Sequence, residues 1–160
     1  MADSLTMSFT CYSTLTFELA ITGHRLPPDM TLSNSPDTEL KANDPQYMGI
    51  ADSPLLGEIA TGDVDLWCCW WEPISKQRFE VRLHFPTNVF TIGSDPSWEV
   101  MSDTVDDKAA TVKWVKPSSR SAPHDWTLEN LSVQAVPTVG SSSLDVAVYV
   151  NDSPSGPSGS

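Results

Sequence analysis

The chain has little positive charge for its size. Of its 160 residues, 9 are Lys or Arg and 21 are Asp or Glu, so the net charge at pH 7 is -12. A surface that binds nucleic acid needs clustered Lys and Arg to neutralise phosphates. The composition therefore argues against direct nucleic-acid binding by this chain.

The motifs that usually announce catalysis or metal binding are also absent. No serine lies in a G-x-S-x-G elbow, and no two cysteines have C-x-x-C spacing. The histidines His24, His84 and His124 are far apart and belong to no two-ligand motif. We expect a protein that is not an enzyme and that needs no metal or other cofactor.

Long apolar runs and helical periodicity are missing as well. No apolar stretch reaches membrane-spanning length, and no basic and apolar leader opens the chain, so no membrane partner is expected. The cysteines are an odd number, Cys11, Cys68 and Cys69. Neighbouring strand residues point to opposite faces, so Cys68 and Cys69 are poorly placed to bridge each other, and all three are interpreted as reduced.

What the chain does have is a period-two alternation of apolar and polar residues, which is typical of strands. In "RFEVRLHFP", Phe79, Val81 and Leu83 alternate with charged residues. The same pattern occurs in "TLTFELAIT" and "SLDVAVYV", and "TVKWVK" is a further short strand. In "TLTFELAIT" the expected inward residues are Leu15, Phe17, Leu19 and Ile21. In "SLDVAVYV" they are Leu144, Val146, Val148 and Val150. In "WTLENLSVQAV" the alternation changes phase, which indicates a β-bulge at Glu129 or Asn130. The strands predict an all-β protein, an antiparallel two-sheet β-sandwich.

The segment "GDVDLWCCWWEP" concentrates aromatic and sulfur side chains in an otherwise acidic chain. As a strand it places Val64, Leu66, Cys68 and Trp70 on one face and Asp65, Trp67, Cys69 and Trp71 on the other. A metal or redox centre and an aromatic ligand platform are alternatives to a strand buried on both faces, and the buried strand is favoured. Outward Trp67 and Trp71 would then need a cover, from a loop, another subunit or a ligand.

The domain prediction is a single β-sandwich over residues 1–152. Residues 27–63 are acidic and punctuated by proline, and they predict a long solvated connection between strands. The tail 153–160, "SPSGPSGS", has the composition of a flexible linker.

The order of these segments resembles the jelly-roll capsid proteins of picornavirus-like, positive-sense RNA viruses. The segments are "STLTFELAITGH", "DLWCCWWEP", "FEVRLHFP" and "WTLENLSVQAVPTVGSSSLDVAVYVND", which resemble strands C, D, E and the last two strands of that family. The resemblance implies a jelly-roll capsid subunit that acts by self-assembly. Its partners would be other capsid subunits, with a possible host receptor, and it would be assembled in the host cytoplasm and located in the virion.

Under that resemblance, Trp67, Trp71, Arg82 and His84 are expected to be subunit-interface residues. The alternative function is a β-sandwich binding module of cellular origin that takes a glycan or a protein ligand. Trp67, Trp70 and Trp71 are then candidates for a glycan platform.

Overall fold

The structure, a computed structural model, is all-β over the residues it describes, 3–26, 32–53, 64–85, 97–101, 113–119, 121–127, 131–140 and 143–152. These residues form strands β1 (Asp3–Cys11), β2 (Phe17–Arg25), β3 (Glu39–Leu40), β4 (Gln46–Ser53), β5 (Val64–Glu72), β6 (Gln77–Phe85), β7 (Ser97–Met101), β8 (Trp114–Val115), β9 (His124–Thr127), β10 (Leu131–Val139) and β11 (Leu144–Asp152).

The strands form two sheets that pack face to face. Sheet A has the order β4-β1-β11-β10-β9, and sheet B has the order β3-β2-β5-β6-β7-β8. Among the described pairs of strands, β1 and β11 are parallel, and every other pair is antiparallel. The predicted all-β, two-sheet sandwich is confirmed. This strand order is a more detailed description of the sandwich than the term jelly roll. Strands β5 to β8, and likewise strands β9 to β11, lie side by side in chain order, as in a meander.

The core lies between the sheets and takes every second residue of the long strands. Its members include Leu5, Met7 and Phe9 of β1, Leu66, Cys68 and Trp70 of β5, Phe79, Val81 and Leu83 of β6, and Val133, Val146 and Val148 of β10 and β11. The alternation in the sequence therefore predicted the inward faces of β6 and β11 correctly.

An aromatic cluster joins the two sheets at the middle of the core. The ring of Phe9 in sheet A lies 5.6 Å from that of Trp70 in sheet B, edge to face, and 6.2 Å from that of Phe79. Phe79 also meets Phe17 edge to face at 5.5 Å. Edge-to-face pairs add about 0.5–1.5 kcal/mol each beyond the area that they bury.

The predicted connection over residues 27–63 is wrong in one respect, because it contains β3 and the eight-residue strand β4. Met48 and Ile50 of β4 are buried, and β4 pairs along β1. The strand signal was weak because Gly49 interrupts it and prolines flank it, and glycine is poor in strands. Glycine is needed there: a Cβ at position 49 would lie 2.5 Å from the Leu5 carbonyl oxygen, and φ is +155°.

The N-terminal segment is also a full strand of the sandwich. Strand β1 lies inside sheet A, between β4 and β11. Other predictions fall outside the described residues: the bulge at Glu129 or Asn130 and the tail 153–160.

Replacement of Gly49 by Ala tests the close approach of β4 to β1. The new methyl group would meet backbone atoms of Leu5 and Thr6, which are not free to move away. We expect Gly49→Ala to lower the free energy of unfolding in urea by ~2 kcal/mol or more. Gly140→Ala is the matched control, because its Cβ would make an ordinary contact of 3.4 Å with Ser143 Cβ. Equal effects of the two substitutions would contradict this account of Gly49.

Candidate functional site

The outer face of sheet B, which points away from the core, carries an unusual set of aromatic and charged side chains. On β5 they are Asp65, Trp67, Cys69 and Trp71, and on β6 they are Arg78, Glu80, Arg82 and His84. The register places these residues directly opposite one another in four pairs, Asp65 with His84, Trp67 with Arg82, Cys69 with Glu80 and Trp71 with Arg78. The predicted division of β5 into two faces is therefore correct.

Asp65 anchors the charged end of this face. Its side chain is 2 % exposed, and one carboxylate oxygen accepts hydrogen bonds from Arg25 Nη2 and Nε at 2.5 and 3.0 Å. The other oxygen lies 2.6 Å from His84 Nδ1 and 3.4 Å from Arg82 Nη2. An ionised carboxylate only accepts, so His84 Nδ1 is the donor. Asp65 thus ties together β2, β5 and β6 at adjacent positions.

The surroundings of Asp65 favour its ionised form. Burial raises the pKa of this carboxyl, but the hydrogen bonds from His84 and Arg25 and the nearby charges of His84 and Arg82 outweigh burial, so the net pKa is lowered. The carboxylate stays charged at neutral pH, and it holds the guanidinium of Arg82 from one side.

A second ion pair lies nearer the beginning of β6. Arg78 Nη2 donates to Glu80 Oε2 at 2.7 Å, and both side chains are almost fully buried. Opposite them, burial and the charge of Glu80 raise the pKa of the Cys69 thiol to about 12, against the lowering effect of Arg78. Cys69 is therefore a neutral thiol. The cysteines Cys11, Cys68 and Cys69 are all free and buried, as the interpretation of reduced cysteines requires.

A β-bulge in β2 brings one further apolar residue to this face. Leu19 lies opposite Trp70, but Ile21 lies opposite Cys69, so the register shifts at the intervening Ala20. A bulge reverses the alternation that follows it. Ile21 was predicted to point inward, and this prediction is wrong because the bulge turns it to the outer face.

Trp67 packs across the neighbouring strand instead of standing out into solvent. A Cβ at Gly23 would lie 2.3 Å from Trp67 Cζ2 and 2.5 Å from Cε2. The indole therefore occupies the space that a larger side chain at position 23 would take. Gly23 is required for this orientation of Trp67.

Between Trp67 and the edge strand β8 lies a cavity of about 290 Å³, which we call the tryptophan cavity. It is lined by Ile21, Trp67, Glu80, Arg82 and Trp114. Arg82 Nε is buried and has no hydrogen-bond partner among the described residues. An orphaned buried donor costs about 1–3 kcal/mol. The Arg82 side chain as a whole is 36 % exposed, so a ligand in the cavity can still contact it.

The structure brings some of the predicted interface residues together and separates others. Trp67 and Arg82 share the tryptophan cavity. His84 is not among the described lining residues; it contacts Asp65 at the charged end of the outer face. Trp71 lies further along β5 and is 8 % exposed, so this chain itself already covers most of it. Their predicted role between subunits stays a prediction.

Sequence reasoning did not name three lining residues of the cavity, Glu80, Ile21 and Trp114, and the last two could not be placed from local patterns. The bulge that exposes Ile21 leaves no mark in the alternation. The strand containing Trp114 was recognised, but nothing local shows that β8 joins sheet B through β7. Both residues are placed by pairing between distant segments.

The described residues lack two other kinds of feature. No group of three or more His, Cys, Asp or Glu side chains among them is arranged to hold a metal ion. Within the same residues there is no helix long and apolar enough to cross a membrane.

Comparison with known proteins gives a likeness of fold. No protein-family model matches the chain, and no curated protein matches it. Among solved structures, it is similar to the crystal structure of the lipid binding protein Nakanori, with a TM-score of 0.58 and 5 % identity, over 94 % of this chain and 71 % of that one. At this identity the likeness shows a shared β-sandwich fold.

Replacement of Asp65 by Asn tests the charge cluster. At neutral pH we expect Asp65→Asn to lower the free energy of unfolding by about 2 kcal/mol, less than the ~3–5 kcal/mol of a fully buried pair because Arg25 and Arg82 keep contact with water. The pKa of Asp65 is lower in the folded chain, so its contribution is present above the ordinary value of 3.8 and is lost as pH falls through the folded value. The difference between wild type and variant in urea unfolding should therefore shrink with acidification.

Asp125→Asn is the control for this experiment, since Asp125 is exposed on β9 in the other sheet. It should change the free energy of unfolding little at any pH. A constant difference between wild type and Asp65→Asn from neutral to acidic pH would show that the charge of Asp65 is not what stabilises the cluster.

Proposed function

We propose that this protein is a non-enzymatic β-sandwich binding module that takes a neutral sugar ring in the tryptophan cavity. The observation that carries the proposal is the meeting of two indoles, Trp67 and Trp114, with the partly exposed, charged side chain of Arg82 around one cavity. Ligand sites are typically concave and mainly apolar, with a few polar groups that orient the ligand.

The size of the cavity suits one ring. Its volume, about 290 Å³, is just below the ~300–1,000 Å³ that is usual for ligand pockets. A pyranose ring has apolar C–H faces that pack on indoles and hydroxyl groups around its edge. The cavity presents both kinds of partner.

The charges at the cavity favour a neutral ligand. Arg82 is always protonated and would repel a cation that entered beside it. An anion would meet the Glu80 carboxylate in a chain whose net charge is -12. A hydroxyl group suits both residues, because it can accept from the guanidinium of Arg82 and donate to the carboxylate of Glu80.

The likeness to a lipid binding protein bears on where such a sugar would be found. A neutral sugar ring occurs in soluble glycans and also on the headgroups of glycolipids. The two sources share the chemistry that the cavity recognises, and binding assays separate them.

The capsid interpretation remains a prediction. A role as a subunit of a picornavirus-like virion, with other capsid subunits and a host receptor as partners, depends on contacts between chains, and a single chain does not test it. The tryptophan cavity favours the binding module, which was the alternative function.

Binding of neutral sugars to the full chain tests the proposal. The probes in solution are glucose, galactose, mannose, maltose, lactose and mannobiose, and their binding is measured by the change in tryptophan fluorescence. An array of immobilised neutral glycans is a second assay. Vesicles of phosphatidylcholine with and without a neutral glycolipid form the membrane arm. We expect binding of at least one sugar, and Trp114→Ala should weaken it about tenfold or more, which corresponds to ~1.4 kcal/mol.

Two variants outside the cavity serve as controls. Trp126→Phe removes an indole of sheet A and controls for the fluorescence signal, and Tyr47→Ala removes an exposed aromatic residue of β4. Both should bind as wild type does. The proposal is wrong if no neutral glycan binds in any arm, if Trp114→Ala leaves binding unchanged, or if vesicles without sugar bind equally well.

A further inference from the structure

A second cavity lies beside the first at the edge of sheet B. Its volume is about 410 Å³, and its lining includes Gly23, His24, Ser35 and Trp67; we call it the edge cavity. Trp67 also lines the tryptophan cavity, so the two cavities are neighbours that share one indole. The proposed function uses only the first of them.

The edge cavity exists because β2 is only partly covered by its outer neighbour. Strand β3 pairs with Phe17 and Glu18, at the beginning of β2, and the described ladder between the two strands ends there. Further along, Thr22, Gly23 and His24 line the cavity from the strand side. Leu32, Ser35 and Pro36 line it from the segment that precedes β3.

The chemistry of the edge cavity continues that of the tryptophan cavity. Its polar groups are the hydroxyls of Thr22 and Ser35 and the imidazole of His24, and its apolar groups include Leu32 and Met48. Among the lining residues that the structure describes there is no Asp, Glu, Lys or Arg. A neutral, hydroxyl-rich ligand therefore finds suitable partners in both cavities.

The spacing of the strands sets the length of such a ligand. Gly23, Trp67 and Arg82 lie opposite one another on the neighbouring strands β2, β5 and β6. Adjacent strands are ~4.8 Å apart, so Gly23 and Arg82 are separated by about 10 Å across the sheet. Two linked pyranose rings have about this length.

From this arrangement we infer that the two cavities are subsites of one groove, which binds a neutral oligosaccharide of at least two rings across Trp67. The inference rests on the proposed function and extends it from a single ring to a chain. One ring lies between Trp67 and Trp114, and the next lies between Trp67 and the segment that carries Ser35.

The same six sugars test the inference. The wild-type chain should bind at least one disaccharide about tenfold or more tightly than its monosaccharide. Ser35→Tyr should fill the edge cavity and reduce the affinity for the disaccharide to that for the monosaccharide, while leaving the monosaccharide unaffected. Trp114→Ala should weaken both. Ser35 is exposed, so the larger side chain should not disturb folding.

Two further variants keep the result interpretable. Ser33→Tyr is the matched control, because Ser33 is exposed nearby but does not line the edge cavity, and it should bind as wild type does. His24→Trp fills the same cavity from β2 and replaces Ser35→Tyr if urea unfolding shows that the latter is destabilised.

The outcomes separate the inference from the proposed function. Suppose that sugars bind and that Trp114→Ala lowers their affinity. If disaccharides then bind no more tightly than monosaccharides, or if neither Ser35→Tyr nor His24→Trp changes the affinity for disaccharides, the two-subsite groove is wrong and the single-ring site stands. If no sugar binds at all, the proposed function fails and the groove fails with it.

Discussion

The burial of β5 on both faces is the constraint on which the rest of this sandwich depends. Its inner residues Leu66, Cys68 and Trp70 enter the core between the sheets, where Trp70 meets Phe9 of sheet A. Its outer residues are also covered to an unusual degree, with Asp65 and Cys69 at 1 % and 0 % exposure. The outer face of a two-layer sandwich is ordinarily polar and in contact with water. The outward side chains of β5 are buried instead, so they need contacts within the protein just as the inward side chains do.

Those partners are charged, and this determines the character of the candidate site. A buried carboxylate is tolerated only when cations and hydrogen-bond donors surround it. Asp65 therefore requires Arg25, Arg82 and His84, and Glu80 requires Arg78. Arg82 is held by Asp65 on one side, and it also lines the cavity walled by two indoles. The cluster that stabilises the sheet thus also orients the donor of the site.

The position of Trp67 depends on a small residue on the next strand. Because Gly23 has no side chain, the indole can lie across β2 and reach the edge of the sheet. One tryptophan then forms a wall of two cavities. The fold is shared with a lipid binding protein at very low identity, and many unrelated functions are found on one fold. The argument for function therefore comes from these side chains.

The sequence by itself determined the all-β class, the inward residues of β6 and β11, and the two faces of β5, because side chains alternate strictly along a strand and apolar burial dominates folding. The capsid resemblance named Trp67 and Arg82 as subunit-interface residues, and that role stays a prediction. The sequence did not predict β4, since Gly49 is unfavourable in strands but is needed where β4 approaches β1. Only the tertiary structure decided that Ile21 turns outward at a bulge, that Trp114 joins Trp67, and that Asp65 collects cations from two neighbouring strands. Each of these depends on the register between segments far apart in the chain, which no local pattern encodes.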